Sequence, residues 1–91
     1  VYTYSSSSIR DANRATATTT DQAITPIESF THISIYNEGT TELRVSVNKS
    51  SATGGKIIFV PAGQAFEDNI LGESLHYSTA SGTTSFLYVL R

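Results

Sequence analysis

The chain has 91 residues, of which 38% are hydrophobic and 15% charged, with no cysteine and a net charge of −2. That length holds one domain with a modest core, since a chain so short buries only about 60–65% of the surface its unfolded form exposes, and the lack of cysteine removes disulfides, thiolate metal sites and thiol catalysis. Six Lys and Arg against eight Asp and Glu make too weak a positive field to hold a phosphate backbone, and no apolar run approaches the roughly 20 residues that span a bilayer, so neither nucleic acid nor membrane is an expected partner.

Residues 1–28 differ from the rest of the chain. A serine run, a threonine run and scattered apolar residues make this segment low in complexity, and no basic-then-apolar stretch of the secretory kind opens it. Ser8 and Asp11 have the spacing to cap a single helical turn through Arg14, but no apolar stripe supports a longer helix. Thr19 to Ile24 reads as a short strand that Pro26 stops, because proline lacks a backbone donor. Ordering such a segment costs about 1–2 kcal/mol per residue. Its few apolar anchors, Val1, Tyr2, Tyr4, Ile9, Ile24 and Ile27, return about 1.5–3 kcal/mol each when fully buried, which falls short of that cost. Backbone pairing must contribute, so the expectation is an extended arm laid along the sheet edge of a neighbouring subunit.

Residues 29–91 read as an all-β domain, a small antiparallel β-sandwich or barrel. Phe30 to Asn48 is the clearest pair of alternating apolar runs joined by a turn, and it predicts a β-hairpin. With Gly39 left-handed in a three-residue loop, Ile33 pairs with Leu43, Ile35 with Thr41 and Thr31 with Val45, which places the apolar side chains on one face. Phe30 and Tyr36 then lie on the opposite face. Lys49 to Gly55 is a polar loop, and Lys56 to Val60 a continuous apolar run expected as a strand covered on both faces. Pro61 and Gly63 suit the second and fourth positions of a type I turn. Gln64 to Ile70 is the next strand, Ser74 to Ser78 resumes with Leu75 and Tyr77 inward, and Ala80-Ser81-Gly82 turns again. Thr84 to Leu90 closes the domain with Phe86, Tyr88 and Leu90 on one side and Leu87 and Val89 on the other, again suggesting two covered faces. The predicted core is Ile33, Ile35, Leu43, Val45, Val47, Ile58, Val60, Phe66 and Tyr88.

Chemical motifs are sparse. Gly72-Glu73-Ser74-Leu75-His76 begins like a nucleophile elbow but ends in His where Gly is required, and an elbow also needs an α/β sheet. His32 and His76, the two histidines, suit half-exposed strand positions. Glu67 and Asp68 are adjacent on a strand and so point to opposite faces, which keeps them from jointly holding calcium. Asn48-Lys49-Ser50 matches a glycosylation sequon, discounted without a leader. No nucleophile, base and orienting acid assemble from these motifs. The chain is therefore expected to be no enzyme and to carry no cofactor or metal.

Ile35-Tyr36-Asn37-Glu38-Gly39 and Val60-Pro61-Ala62-Gly63-Gln64-Ala65-Phe66, with a final strand ending FLYVLR, resemble the "I-x-N-x-G" and "V-P-A-G-x-x-F" elements of small β-sandwich structural proteins of tailed-bacteriophage virions. The resemblance covers about two-thirds of the chain, from Phe30 onward. It implies a non-enzymatic virion component, a capsid decoration, neck or tail protein. Its implied partners are other virion proteins and further copies of itself, as a homo-oligomer. Interaction would run through Tyr2, Tyr4, Ile9, Ile24 and Ile27 of the arm and through Phe30 and Tyr36 of the domain. The alternative is a stand-alone carbohydrate- or receptor-binding sandwich with Phe30 and Tyr36 as its aromatic platform.

Overall fold

The computed structural model describes residues 9–49 and 54–91, so Val1, Tyr2, Tyr4 and the Ser50 of the sequon lie outside the described residues. Eight strands follow one another: β1 (Asp11–Ala17), β2 (Gln22–Ile24), β3 (Ile33–Asn37), β4 (Leu43–Val47), β5 (Ile58–Val60), β6 (Ala65–Asp68), β7 (Leu75–Ser78) and β8 (Thr84–Leu90). They form two four-stranded antiparallel sheets, ordered β1-β8-β3-β6 and β2-β7-β4-β5. Only β4 and β5 are both consecutive in sequence and paired; every other connection crosses from one sheet to the other. This is the strand order of a double-sheet jelly roll. The all-β sandwich expected from the sequence is therefore the fold.

The expected β3–β4 hairpin does not form. Ile33 and Ile35 pair with Leu90 and Tyr88 of β8 and with Asp68 and Phe66 of β6, while Leu43 pairs with Val60 of β5. Asn37 decides the matter. Its side chain is fully buried; Nδ2 donates to the carbonyls of Thr41 (2.8 Å) and Val60 (2.9 Å), and Oδ1 accepts from the Gly39 N–H (3.1 Å) and the Thr84 hydroxyl (2.7 Å). These bonds turn the chain out of the first sheet and into the second. Gly39 is glycine because of a close approach rather than a left-handed backbone: a Cβ there would overlap the Thr84 hydroxyl and crowd the Ser85 backbone. Alternation had placed Ile33, Ile35, Leu43 and Val45 inward, and inward they are, but facing across two sheets instead of paired within one.

Other expectations shift for similar reasons. The turn after β5 is Pro61–Gln64, closed by Gln64 N–H to Pro61 O (3.0 Å), with Gly63 at its third position and φ 74. That is a type II arrangement, which requires glycine there. Phe59 is 52% exposed and lies under the Arg44 guanidinium (5.6 Å to the ring centroid), and Leu87 is 37% exposed, so β5 and β8 each have one open face rather than two covered ones.

The predicted arm is the largest correction. No helical turn forms at Asp11 to Arg14. Instead β1 pairs along the whole of β8, from Asp11↔Leu90 to Ala17↔Thr84, and β2 pairs with β7. Among the described residues of the segment, the backbone pairing comes from its own domain, one strand for each sheet edge. Side chains fasten both strands: the Tyr88 hydroxyl donates to Asp11 Oδ2 (3.1 Å) and the Tyr77 hydroxyl to Gln22 Oε1 (3.0 Å). Burial, and then the Asp11 carboxylate, push the Tyr88 phenol up to about 12, which keeps it a donor.

Inward residues of both sheets make one core, including Phe30, Ile33, Ile35, Leu43, Val45, Val60, Leu75, Phe86 and Leu90. Tyr77 of one sheet meets Phe86 of the other edge-on, with centroids 5.0 Å apart. Val47, Ile58 and Phe66, expected in the core, are only partly buried against it. Two of these three turn out to border a cavity.

Candidate functional site

The β4–β5 ladder ends at Val45↔Ile58, so Val47 runs on past the start of its neighbour. Ile70, just beyond β6 of the other sheet, approaches from the opposite side, and Val47, Ile58 and Ile70 form an apolar wall that is half buried. Asn48, Lys49, Gly54, Gly55 and Lys56 complete the lining of a cavity of about 440 Å³. This lies at the small end of the roughly 300–1,000 Å³ that ligand sites occupy. Asn48 sets the rim by leaving β4 with φ 68, a left-handed conformation that Asn adopts more readily than most residues. Its N–H donates to Ser74 O (2.9 Å) and its Oδ1 accepts from the Glu73 N–H (2.7 Å), so the β4 exit is stitched to the β6–β7 connection. The sequence carries one sign of this site, two lysines bracketing a Gly-Gly loop, which by composition is a polar connection.

His32 lies on the outer side of the first sheet. Its Nδ1 is 2.8 Å from Asn69 Oδ1 and its Nε2 3.0 Å from Glu67 Oε2. Both partners accept, so the doubly protonated ring satisfies both bonds. The bond to Asn69 first and that to Glu67 second raise its pKa above 6.5, against desolvation and, less, the charge of Arg91. A folded-state pKa above the unfolded one means that the added stability is fully present below about pH 6.5 and fades as pH rises through the folded value. Proton NMR should place the His32 midpoint above 6.5, and Asn69→Ala should bring it down. An unchanged midpoint in that variant would show that the contact does not operate in solution.

His76 stands on the outer side of the second sheet, with Nε2 3.2 Å from Ser74 Oγ and Nδ1 3.3 Å from Asp21 Oδ2. Asp21 precedes β2 in the chain, 55 residues from His76, and no sequence motif links the two. The three contacts follow the order of a catalytic relay, but acyl transfer also requires donors aimed at the developing oxyanion. None of the three side chains supplies one, and none lines the cavity described above. Their evident effect is to tie the chain at the start of β2 to β7.

The described interaction residues expected from the sequence differ in exposure. Phe30 is wholly buried, held by paired backbone bonds to Gly72 (2.8 and 2.9 Å), and belongs to the core rather than to an open face. Ile24 is partly buried, whereas Ile9, Ile27 and Tyr36 are exposed. Tyr2 and Tyr4 lie outside the described residues.

No family model matches the chain, and no curated protein matches it. Solved structures do. An ethanolamine utilization protein Q from Salmonella typhimurium superposes with TM-score 0.58 at 19% identity, over 87% of this chain and 55% of that one. The cupin_2 domain of an XRE-family transcriptional regulator from Enterobacter cloacae superposes with TM-score 0.60 at 13% identity, covering 90% of this chain and 82% of that one. Hydroxypropylphosphonic acid epoxidase from S. wedmorenis, in complex with fosfomycin, gives TM-score 0.64 at 11% identity, over 94% of this chain and 45% of that one. At such identities the likeness establishes a cupin-like fold and nothing finer. The chain spans about half the length of the ethanolamine utilization proteins that it matches.

These neighbours overturn the virion reading, including the virion location, and give the carbohydrate- or receptor-binding alternative no support. The physical reason is visible in the motifs that carried the resemblance. Asn37 N–H donates to Gln64 O and Gly63 N–H to Asn37 O (both 2.9 Å), so the two motifs are halves of one structural corner. Corners of this kind mark a sandwich and not a task.

The epoxidase is also known in an iron(II) form, which raises the question of a metal here. A two-His-one-carboxylate iron site needs its ligands to converge. Among the described residues no group of three His, Cys, Asp or Glu does so, and the residues outside them, 1–8 and 50–53, contain none of these types. His32 and His76 sit on the outer sides of different sheets, each with its own partners. The residues of this chain do not fit such an ion.

Proposed function

We propose that the chain is a metal-independent binding domain of cupin-like fold that takes a small, apolar-bodied molecule in the cavity beside Val47, Ile58 and Ile70. The observation that carries this is the cavity itself, a partly apolar recess of about 440 Å³ at the place where the β4–β5 ladder stops short. Binding without turnover fits its lining, which has two lysines as its ionisable groups and no nucleophile–base pair. The matched regulator also carries its cupin_2 domain as one part of a larger protein.

Amide NMR with 3-methylbutanamide and 3-methylbutanoate tests the reading. Either compound should shift the amides of Asn48, Gly55, Lys56, Ile58 and Ile70 and be recovered unchanged. If neither does, or if shifts scatter over the outer sheet faces, the cavity is not a binding site.

A further inference from the structure

Lys49 and Lys56 are the only lysines of the chain, and both line this one cavity. None of the eight Asp and Glu residues lines it, although Glu73 meets the Asn48 rim through its backbone N–H, in a chain whose net charge is −2. The four arginines are also elsewhere: Arg10 pairs with Glu28, Arg14 with Glu38, Arg44 covers Phe59, and Arg91 bonds through its backbone to Thr31 and His32. Among the described residues neither lysine has a carboxylate partner, and the Asn48 side-chain NH₂ donates to none of them. The cavity thus has an apolar wall of Val47, Ile58 and Ile70 and a rim that is cationic and donor-rich.

We infer that the ligand of this cavity is a small organic anion, with a short aliphatic or aromatic body against the Val47–Ile58–Ile70 wall and its acid group between Lys49 and Lys56. The inference rests on the cavity being the binding site. A neutral polar molecule would draw no Coulomb attraction from the two ammonium groups, and a cation would be repelled by both. An anion neutralises them while its body leaves water. The lysines are exposed, so each ion pair is a modest one. The acid group need not be a carboxylate, since an ammonium group binds any compact anion as a point charge.

The test compares 3-methylbutanoate, 3-methylbutanamide and 3-methylbutylammonium by amide NMR titration on the full chain and on the Lys49→Gln/Lys56→Gln variant. On the parent chain the carboxylate should bind about threefold to tenfold tighter than the amide, a preference that shrinks with added salt. In the double variant that preference should vanish, the carboxylate binding no tighter than the amide. Equal binding of carboxylate and amide, or tighter binding of the ammonium compound, would overturn the anion assignment and leave the cavity reading standing. A carboxylate preference that survives in the double variant would place the acid group away from the lysines and overturn the assignment too. If none of the three shifts the cavity amides, both readings fall.

Discussion

Leu43→Asp abolishes cooperative folding: the variant is expected to show no sigmoidal thermal transition by circular dichroism, where the parent shows one. Leu43 is completely buried, and its ladder partner Val60 and the core residues Ile33 and Ile35 present no donor to a carboxylate. Losing the leucine forfeits about 1.5–3 kcal/mol of burial. An uncompensated charge in that space costs several kcal/mol more, or else the acid stays protonated at a comparable cost. Domains of this size have about 5–15 kcal/mol in total, so the loss removes most or all of the margin. Tyr36→Asp serves as the control, because Tyr36 is 44% exposed and its substitution should leave a cooperative transition. If Leu43→Asp melts like the parent, position 43 is not inward and the sheet assignment is wrong.

Asn37→Leu should lower the melting temperature by at least about 10 °C, although leucine is apolar and of similar size. The change leaves the Val60 carbonyl and the Thr84 hydroxyl without their partner, and both residues are buried, at 1% and 3% exposure. Each buried group left unpaired costs about 1–3 kcal/mol, and each kcal/mol is about 4–8 °C in a domain of this length. Thr41 and Gly39 are less buried and can turn to water, so they add less. Asn37→Asp keeps the acceptor but places a carboxylate against two carbonyls, and it should be no milder. In a double-mutant cycle, Thr84→Val should cost markedly less on the Asn37→Leu background than on the parent, since the bond it removes is already gone. A melting temperature within about 2 °C of the parent for Asn37→Leu would show that the corner is held by something else.

Alternation along the strands was enough to name the inward set, because a period of two reports which face of a strand is buried whatever the strand pairs with. Ile33, Ile35, Leu43, Val45, Val60 and Tyr88 were identified on that basis and are core. The same evidence cannot say who pairs with whom, since a hairpin and two stacked sheets put the same side chains inward. The crossing between sheets is decided by one polar side chain, Asn37, whose partners at Val60 and Thr84 are 23 and 47 residues away. The low-complexity N-terminal stretch escaped for a related reason. Strands that complete a sheet edge draw on backbone bonds, which any side chain permits, so β1 needed no apolar pattern of its own. The cavity was least legible of all. Its wall comes from Val47, Ile58 and Ile70, each an ordinary apolar residue near the end or start of a strand, and only the packing of two sheets and an early end to one ladder brings them around the chain's two lysines.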